Sequence, residues 1–350
     1  MNNKELKWFN IADWGVEGKA WSDTDAPYDR LPARAKDTVT PLVWEHSHSA
    51  TGMCVHFNTD SSSIHTRWSL ASDELGGENF SVRGYSGVDL YAYDTANSTW
   101  RWAGTSPVLS IKDRNPEAML YEGLPADMRR FRLYLPLRNP ILKLEIGIDA
   151  GSSFEPVAPR TDKPMVYYGS SIVHGAYAAR AGLGCPQVLA RKLNLPLINL
   201  GFSGSAKMEF DVAHLMSEID ARIFVVDSLP NMDTKMVESQ AYEFVRILRA
   251  AHPDTPIVMI EDAPNARAWL RPDWVQDQDD KWQAFAHTYR KLCGDGFSKL
   301  FYIKGSNLFG TDSEGTFDGV HPNDLGFMRM VDIVEKGVRQ ALLTSSESDF

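Results

Sequence analysis

The apolar positions of the chain change rhythm near its middle. Between about Pro41 and Ile148 they fall in short runs rich in β-branched and aromatic residues, as at Met53–Phe57, Ser63–Leu70, Val88–Tyr93 and Arg130–Leu135. Such runs predict strands. Turn-forming stretches such as Asp60-Ser61-Ser62-Ser63, Asp73-Glu74-Leu75-Gly76-Gly77 and Arg138-Asn139-Pro140 separate them at the spacing of a β-sandwich. No long helical period stands out in this half.

After Pro159 an apolar segment at Met165–Tyr168 precedes a helical one, and the two patterns alternate to the end of the chain. Strands are predicted at Pro196–Leu200, Ile223–Asp227, Ile257–Glu261 and Leu300–Ile303. Helices are predicted around Pro186–Leu193, Phe210–Ile219, Lys235–Ala251, Asp280–Cys293 and Leu325–Leu342. This alternation implies a parallel sheet covered by helices on both faces. Asp149–Lys163, with Gly, Ser, Pro and charge but no period, reads as a linker. The expected organisation is a β-sandwich domain over 1–155 followed by an α/β domain over 156–350.

Bulk properties agree with this division and narrow the partners. A chain of 350 residues exceeds the length at which one core usually keeps growing. The formal net charge of -10 disfavours nucleic acid or an anionic membrane surface, since both reward a basic face. Neutral or cationic substrates fit better. Cys54, Cys185 and Cys293 are odd in number and far apart, which gives neither a disulfide framework nor a zinc pattern, and they are expected to be buried. No apolar run approaches the ~20 residues that span a bilayer. The chain as it stands is expected to be soluble and cytoplasmic, or periplasmic or secreted if a signal segment has been removed.

Tyr167-Tyr168-Gly169-Ser170-Ser171-Ile172 puts a serine where the first strand of the α/β half ends, at the edge where open parallel sheets hold their sites. Gly-Ser-Ser also suits an ordinary turn. Far downstream, Phe317-Asp318-Gly319-Val320-His321-Pro322-Asn323 places an Asp and a His three residues apart before the last helix. Acyl transfer uses such a pair, the imidazole removing a serine proton while the carboxylate holds its tautomer. A capping Asp and a surface His would give the same spacing. Asn199-Leu200-Gly201-Phe202-Ser203-Gly204 and Asp227-Ser228-Leu229-Pro230-Asn231 follow the next two strands and offer a backbone amide and a side-chain amide to a developing oxyanion.

Taken together these four blocks resemble the SGNH (GDSL-like) serine hydrolases, over most of residues 160–345. The resemblance implies a three-layer α/β domain with Ser171 as nucleophile and His321 and Asp318 completing the triad. It also implies an oxyanion hole of Ser171, Gly204 and Asn231. Two positions depart from the family pattern: Ser170 stands where Asp is usual, and Leu229-Pro230-Asn231-Met232 replaces Gly-x-Asn-Asp. Gly87-Val88-Asp89-Leu90-Tyr91 resembles the Gly-x-Asp-Leu-Tyr signature of a sandwich domain, jelly-roll-like, that precedes such hydrolases. Read without the resemblance, it is a turn entering a strand with Asp89 facing solvent.

The resemblance implies a serine esterase acting on small acyl esters, acetyl foremost, on carbohydrates, with no cofactor. A lipase or thioesterase of the same fold and an inactive carbohydrate-binding protein are the alternatives. His46-Ser47-His48 would put two imidazoles on one face of a strand, but no third ligand stands nearby and no metal is expected. His174, close to Ser171, lacks an orienting carboxylate and is expected to point elsewhere. The glycines form no phosphate-binding loop. The connection Asp262–Asp279, without an obvious helix, is expected to border the serine and to offer Trp269 and Trp274 to substrate, although both could equally be packing residues.

Overall fold

A computed structural model describes residues 5–77, 80–107 and 113–346. The chain forms two compact units. Unit 1 contains Met1–Ala33, Ser47–Asp162 and Ala178–Leu183; unit 2 contains Arg34–His46, Lys163–Tyr177 and Gly184–Phe350.

Strands β1 (Leu6–Asn10), β2 (Cys54–Thr59), β3 (Ser63–Leu70), β4 (Asp89–Asp94), β5 (Thr99–Thr105), β6 (Glu117–Glu122), β7 (Arg129–Tyr134), β8 (Ile141–Asp149) and β9 (Phe154–Val157) build unit 1. They form two antiparallel sheets, ordered β1-β8-β3-β6 and β5-β4-β7-β2-β9. The period of two is plain in β3, where Ile64, Thr66, Trp68 and Leu70 are buried and His65, Arg67 and Ser69 are more open. Its inward residues share one apolar core with Leu144, Ile146 and Ile148 of β8 and with Phe57, Leu90, Phe131 and Leu133 of the other sheet. Burying side chains of this size contributes about 1.5–3 kcal/mol each.

Two short helices interrupt the β-rich stretch, α1 (Pro41–Ser47), most of which belongs to unit 2, and α2 (Val82–Tyr85) in unit 1. The strand expected to carry His46 and His48 on one face is therefore the end of a helix. Pro41 is pre-set for a first helical turn, and the Thr40 hydroxyl accepts from Val43 N at 3.4 Å. His48 pairs instead with Asp29 at 3.0 Å.

The Gly87–Tyr91 motif has a physical explanation that local pattern does not supply. Asp89 does not face solvent; it is fully buried and accepts from Arg180 Nη1 at 2.7 Å, Gly182 N at 3.0 Å and Trp102 Nε1 at 3.0 Å. Arg180 Nη1 also donates to the Tyr91 hydroxyl at 2.6 Å, while Leu90 enters the core. A Cβ on Gly87 would stand 2.4 Å from Ser106 Oγ and 2.5 Å from the Arg83 carbonyl, so only glycine fits. Each named position of the motif serves the fold of unit 1.

In unit 2, β10 (Met165–Gly169), β11 (Leu197–Gly201), β12 (Ile223–Asp227), β13 (Ile257–Ile260) and β14 (Leu300–Ile303) form a parallel sheet ordered β11-β10-β12-β13-β14. The helices are α3 (Ser171–His174), α4 (Cys185–Leu193), α5 (Phe210–Met216), α6 (Thr234–Ala251), α7 (Pro272–Gly294) and α8 (Asp324–Ser346). Helix α4 packs with α8, while α6 packs with α5 and α7. Every residue of β10 to β13 is buried, as expected of strands covered on both faces. Strand order reverses around β10, and the crevice at the carboxyl ends of β10 and β12 is where such sheets bind ligands.

Two expectations change here. Helix α7 begins at Pro272 rather than near Asp280, and a 3₁₀ turn at Ala268–Leu270 precedes it, so the Asp262–Asp279 connection is partly helical. Pro272 and Asp273 suit a helix start, but the following Asp-Gln-Asp-Asp run leaves no apolar stripe to read. Asp262 holds these turns, accepting from Gln278 Nε2 at 2.7 Å, Lys281 Nζ at 2.5 Å and Trp282 Nε1 at 3.0 Å. Cys54 and Cys185 are buried, whereas Cys293 is exposed at the end of α7.

Candidate active site

Strand β10 ends at Gly169, and the chain turns at once into the short helix α3. Ser170 caps it, its hydroxyl accepting from Ile172 N at 3.3 Å, which leaves Ser171 as the first helical residue. Only 8% of Ser171 is exposed. Its Oγ lies 2.8 Å from His321 Nε2, and His321 Nδ1 lies 2.7 Å from Asp318 Oδ2. The remaining Asp318 oxygen accepts from the N–H groups of His321 at 2.8 Å and Val320 at 2.9 Å. Burial alone would raise the Asp318 pKa, but these amides and the imidazole outweigh it and hold the carboxyl below its ordinary range. An ionised carboxylate at Nδ1 keeps that nitrogen protonated and leaves Nε2 free to accept from the serine hydroxyl.

The His321 loop is braced on several sides. Thr316 Oγ1 donates to the His321 carbonyl at 2.7 Å, and Ala266 N donates to the Gly319 carbonyl at 2.8 Å. The second bond brings the connection after β13 to the loop that carries Asp318 and His321. Tyr177 stacks on Phe317 with ring centroids 4.1 Å apart and lies 5.4 Å from the His321 ring. No local pattern in the sequence singles out Tyr177.

Gly204 lies in the exposed turn after β11 with φ +66°, a conformation that favours glycine. Asn231 closes the 3₁₀ turn Leu229–Asn231 after β12, and its side-chain amide donates to the Ser205 carbonyl. An amide nitrogen carries two hydrogens, so one N–H fixes the side chain and a second remains for another acceptor. His174 meets Ser203 Oγ through Nδ1 at 3.0 Å.

Trp269 and Trp274 line different hollows. A cavity of about 530 Å³ is bounded by Met232, Lys235, Asn265, Trp274, Gln278 and Lys281, beginning one residue beyond Asn231. Arg271 lies over the Trp274 ring at 4.8 Å. Trp269 is 76% exposed and borders a more apolar hollow of about 330 Å³ with Pro264, Val275 and Phe309. Asn265 borders both.

Among the described residues, Glu17, Cys54 and His56 of unit 1 group their ligand atoms within 4.8 Å. Both Glu17 oxygens accept from Arg160, at 2.7 Å each. Burial opposes the Glu17 charge, yet Arg160 and His56 outweigh it and keep the carboxyl well below its usual range. Burial pushes His56 down. The guanidinium thus already neutralises the carboxylate that a cation would need.

A serine and an Asp-x-x-His loop at the switch point of a 2-1-3-4-5 parallel sheet define an SGNH-type hydrolase scaffold. Residues 162–339 match the GDSL-like lipase/acylhydrolase family, and residues 6–154 match the N-terminus of SGNH-hydrolase-type esterases that carries the Gly-x-Asp-Leu-Tyr signature. The chain belongs to the GDSL-like lipase/acylhydrolase family. It is similar to a protein of Bacteroides ovatus ATCC 8483 described as a GDSL-like lipase, with 30% identity and a TM-score of 0.90, covering 97% of this chain and 98% of that one. A salicylyl-acyltransferase, SsfX3, from a tetracycline biosynthetic pathway shares the fold at 20% identity and TM-score 0.74, covering 96% and 97% of the two chains. So does an acetyl xylan esterase, Est2A, from the rumen bacterium Butyrivibrio proteoclasticus, at 12% identity and TM-score 0.56, with 96% and 98% covered. No curated protein sequence matches the chain.

Proposed function

We propose that the protein is a serine esterase that removes small acyl groups, acetyl foremost, from carbohydrates. The single observation that supports it most is the hydrogen-bonded run from Ser171 Oγ through His321 to Asp318, at 2.8 and 2.7 Å. In this reading Ser171 Oγ attacks the ester carbonyl as His321 Nε2 takes its proton, and the same imidazolium then protonates the departing alcohol. The N–H groups of Ser171, Gly204 and Asn231 donate to the carbonyl oxygen as it gains negative charge. Water, deprotonated by His321, attacks the acyl-Ser171; the C–O bond to Ser171 breaks, and the proton returns to its oxygen. No cofactor enters the cycle.

For the sugar, the support is the cavity beyond Asn231, where one aromatic face stands among amide, ammonium and carboxylate groups. Sugar rings combine apolar faces with polar edges and suit such a lining. Trp274 is the stacking residue, and Trp269 serves more distant substrate units. A lipase or thioesterase is favoured by a different observation, the apolar hollow formed by Pro264, Val275 and Phe309.

The test is acetate release from acetylated sugars together with turnover of aryl esters of increasing acyl length. Activity confined to short acyl groups, and loss of several orders of magnitude in kcat with a folded Ser171→Ala protein, are expected. Near-normal turnover by Ser171→Ala would overturn the reading, and a preference for long chains would replace the sugar esterase by the lipase.

A further inference from the structure

His46, set aside on sequence grounds, lies in unit 2 beside the Gly204 turn. The imidazole is almost wholly buried, and its Nε2 stands 2.8 Å from the Ser203 carbonyl oxygen. A carbonyl only accepts, so Nε2 carries the hydrogen. That carbonyl belongs to the peptide unit whose nitrogen is Gly204 N. The unit is planar and trans, which points its C=O and N–H in opposite directions. Tying the oxygen therefore aims the hydrogen.

The turn is closed by Ser205 N–H donating to the Phe202 carbonyl at 3.1 Å, but glycine at φ +66° leaves its central peptide with little intrinsic preference for one orientation, so that restraint has to come from further contacts. Three contacts supply it. His46 holds the Ser203 carbonyl, His174 Nδ1 holds the Ser203 hydroxyl at 3.0 Å, and Asn231 holds the Ser205 carbonyl. The His174 backbone N–H donates to the Ser170 carbonyl at 3.0 Å, so its contact ties the turn to the helix that carries Ser171. The His46 and His174 rings meet edge to face with centroids 5.6 Å apart. A hydrogen bond accepted by the carbonyl also polarises the N–H at the other end of the amide.

We propose that His46 is a positioning residue for the oxyanion hole, fixing and polarising the peptide that presents the Gly204 N–H. The inference rests on the esterase reading and on Gly204 as an oxyanion donor. It adds a requirement for a segment far from the four hydrolase blocks.

The decisive comparison is His46→Phe, which keeps a ring against His174 but has no donor, with His46→Gln, whose amide N–H reaches about as far as Nε2. On an aryl acetate, His46→Phe should lower kcat about 10- to 100-fold with KM within about twofold, since misaiming one donor loses part of what removing it would. Affinity for an alkyl boronic acid, a mimic of the tetrahedral intermediate, should fall by the same factor, and His46→Gln should restore most of both. Wild-type kcat in His46→Phe would overturn the proposal, as would a loss confined to KM. If His46→Phe does not fold, a folded His46→Gln protein must keep at least about a third of wild-type kcat; a lower value overturns it. Turnover by Ser171→Ala would sink the esterase reading itself, whereas an inert Ser171→Ala with an unaffected His46→Phe sinks only this inference.

Discussion

Single side chains at the strand ends carry the proposed chemistry. Asn231 has one amide hydrogen committed to Ser205, so Asn231→Ala removes a tether of the Gly204 turn and, in the proposed mechanism, a donor to the oxyanion. We expect kcat to fall about 100- to 1000-fold with little change in KM, measured by steady-state kinetics on an aryl acetate. Asp227, paired in register with Gly169, is a different case. It is fully buried, and burial raises its pKa to about 7 against a hydrogen bond from Tyr167 that lowers it. Between about pH 4 and 7 the folded state holds a proton that the unfolded chain has released. Stability therefore falls as pH rises through this window, by up to about 1.4 kcal/mol per pH unit from this group. Asp227→Asn should flatten the pH dependence of Tm over that range and raise Tm above pH 7; an unchanged profile would show that Asp227 stays ionised throughout.

At the level of elements, the central strands and most helix starts were legible, α5 beginning at Phe210 as read, whereas the start of α7 was not, nor were β1, outside the stretch read as strands, and β9, inside the stretch read as a linker. The ranges read for β3, β12 and β14 coincide with those observed, because burial on one or both faces writes a run of fixed length into the sequence. Helix α7 escaped because its first turns are fixed by Asp262, a residue outside the helix, through Gln278, Lys281 and Trp282 rather than by an apolar stripe. The rigidity this confers bears on Trp274, which sits in the first turn of α7 and lines the larger cavity. We expect Trp274→Ala to weaken kcat/KM on acetylated oligosaccharides at least about tenfold, and on a small aryl acetate far less. Equal losses on both substrates, in a protein of unchanged Tm, would assign Trp274 to the frame of the site.

Across the whole molecule, what the sequence could not reveal is held by partners distant in the chain. Asp89 reads as a solvent-facing turn residue until Arg180 is placed beside it, and His46 reads as an idle imidazole until Ser203 is. Both pairs involve segments that leave the simple order of two consecutive halves: residues 178–183 belong to unit 1, and residues 34–46 to unit 2. A cut between residues 155 and 156 therefore runs through β9 and also parts these segments from their units. A fragment starting at residue 156 keeps Ser171, His321 and Asp318 but loses α1, and with it the His46 hydrogen bond and the Leu42 side chain that lies against Gly204. The complementary fragment, ending at residue 155, leaves Asp89 buried without Arg180. Removing one partner of a buried ion pair costs about 3–5 kcal/mol, a large fraction of the stability of a domain. We expect the 156–350 fragment to unfold at a markedly lower temperature than the full chain and to retain under a tenth of its kcat on an aryl acetate. Adding a peptide spanning residues 34–46 should recover part of that activity if the missing segment is the cause. Full activity and unchanged Tm in the bare fragment would mean that α1 contributes nothing the hydrolase unit needs.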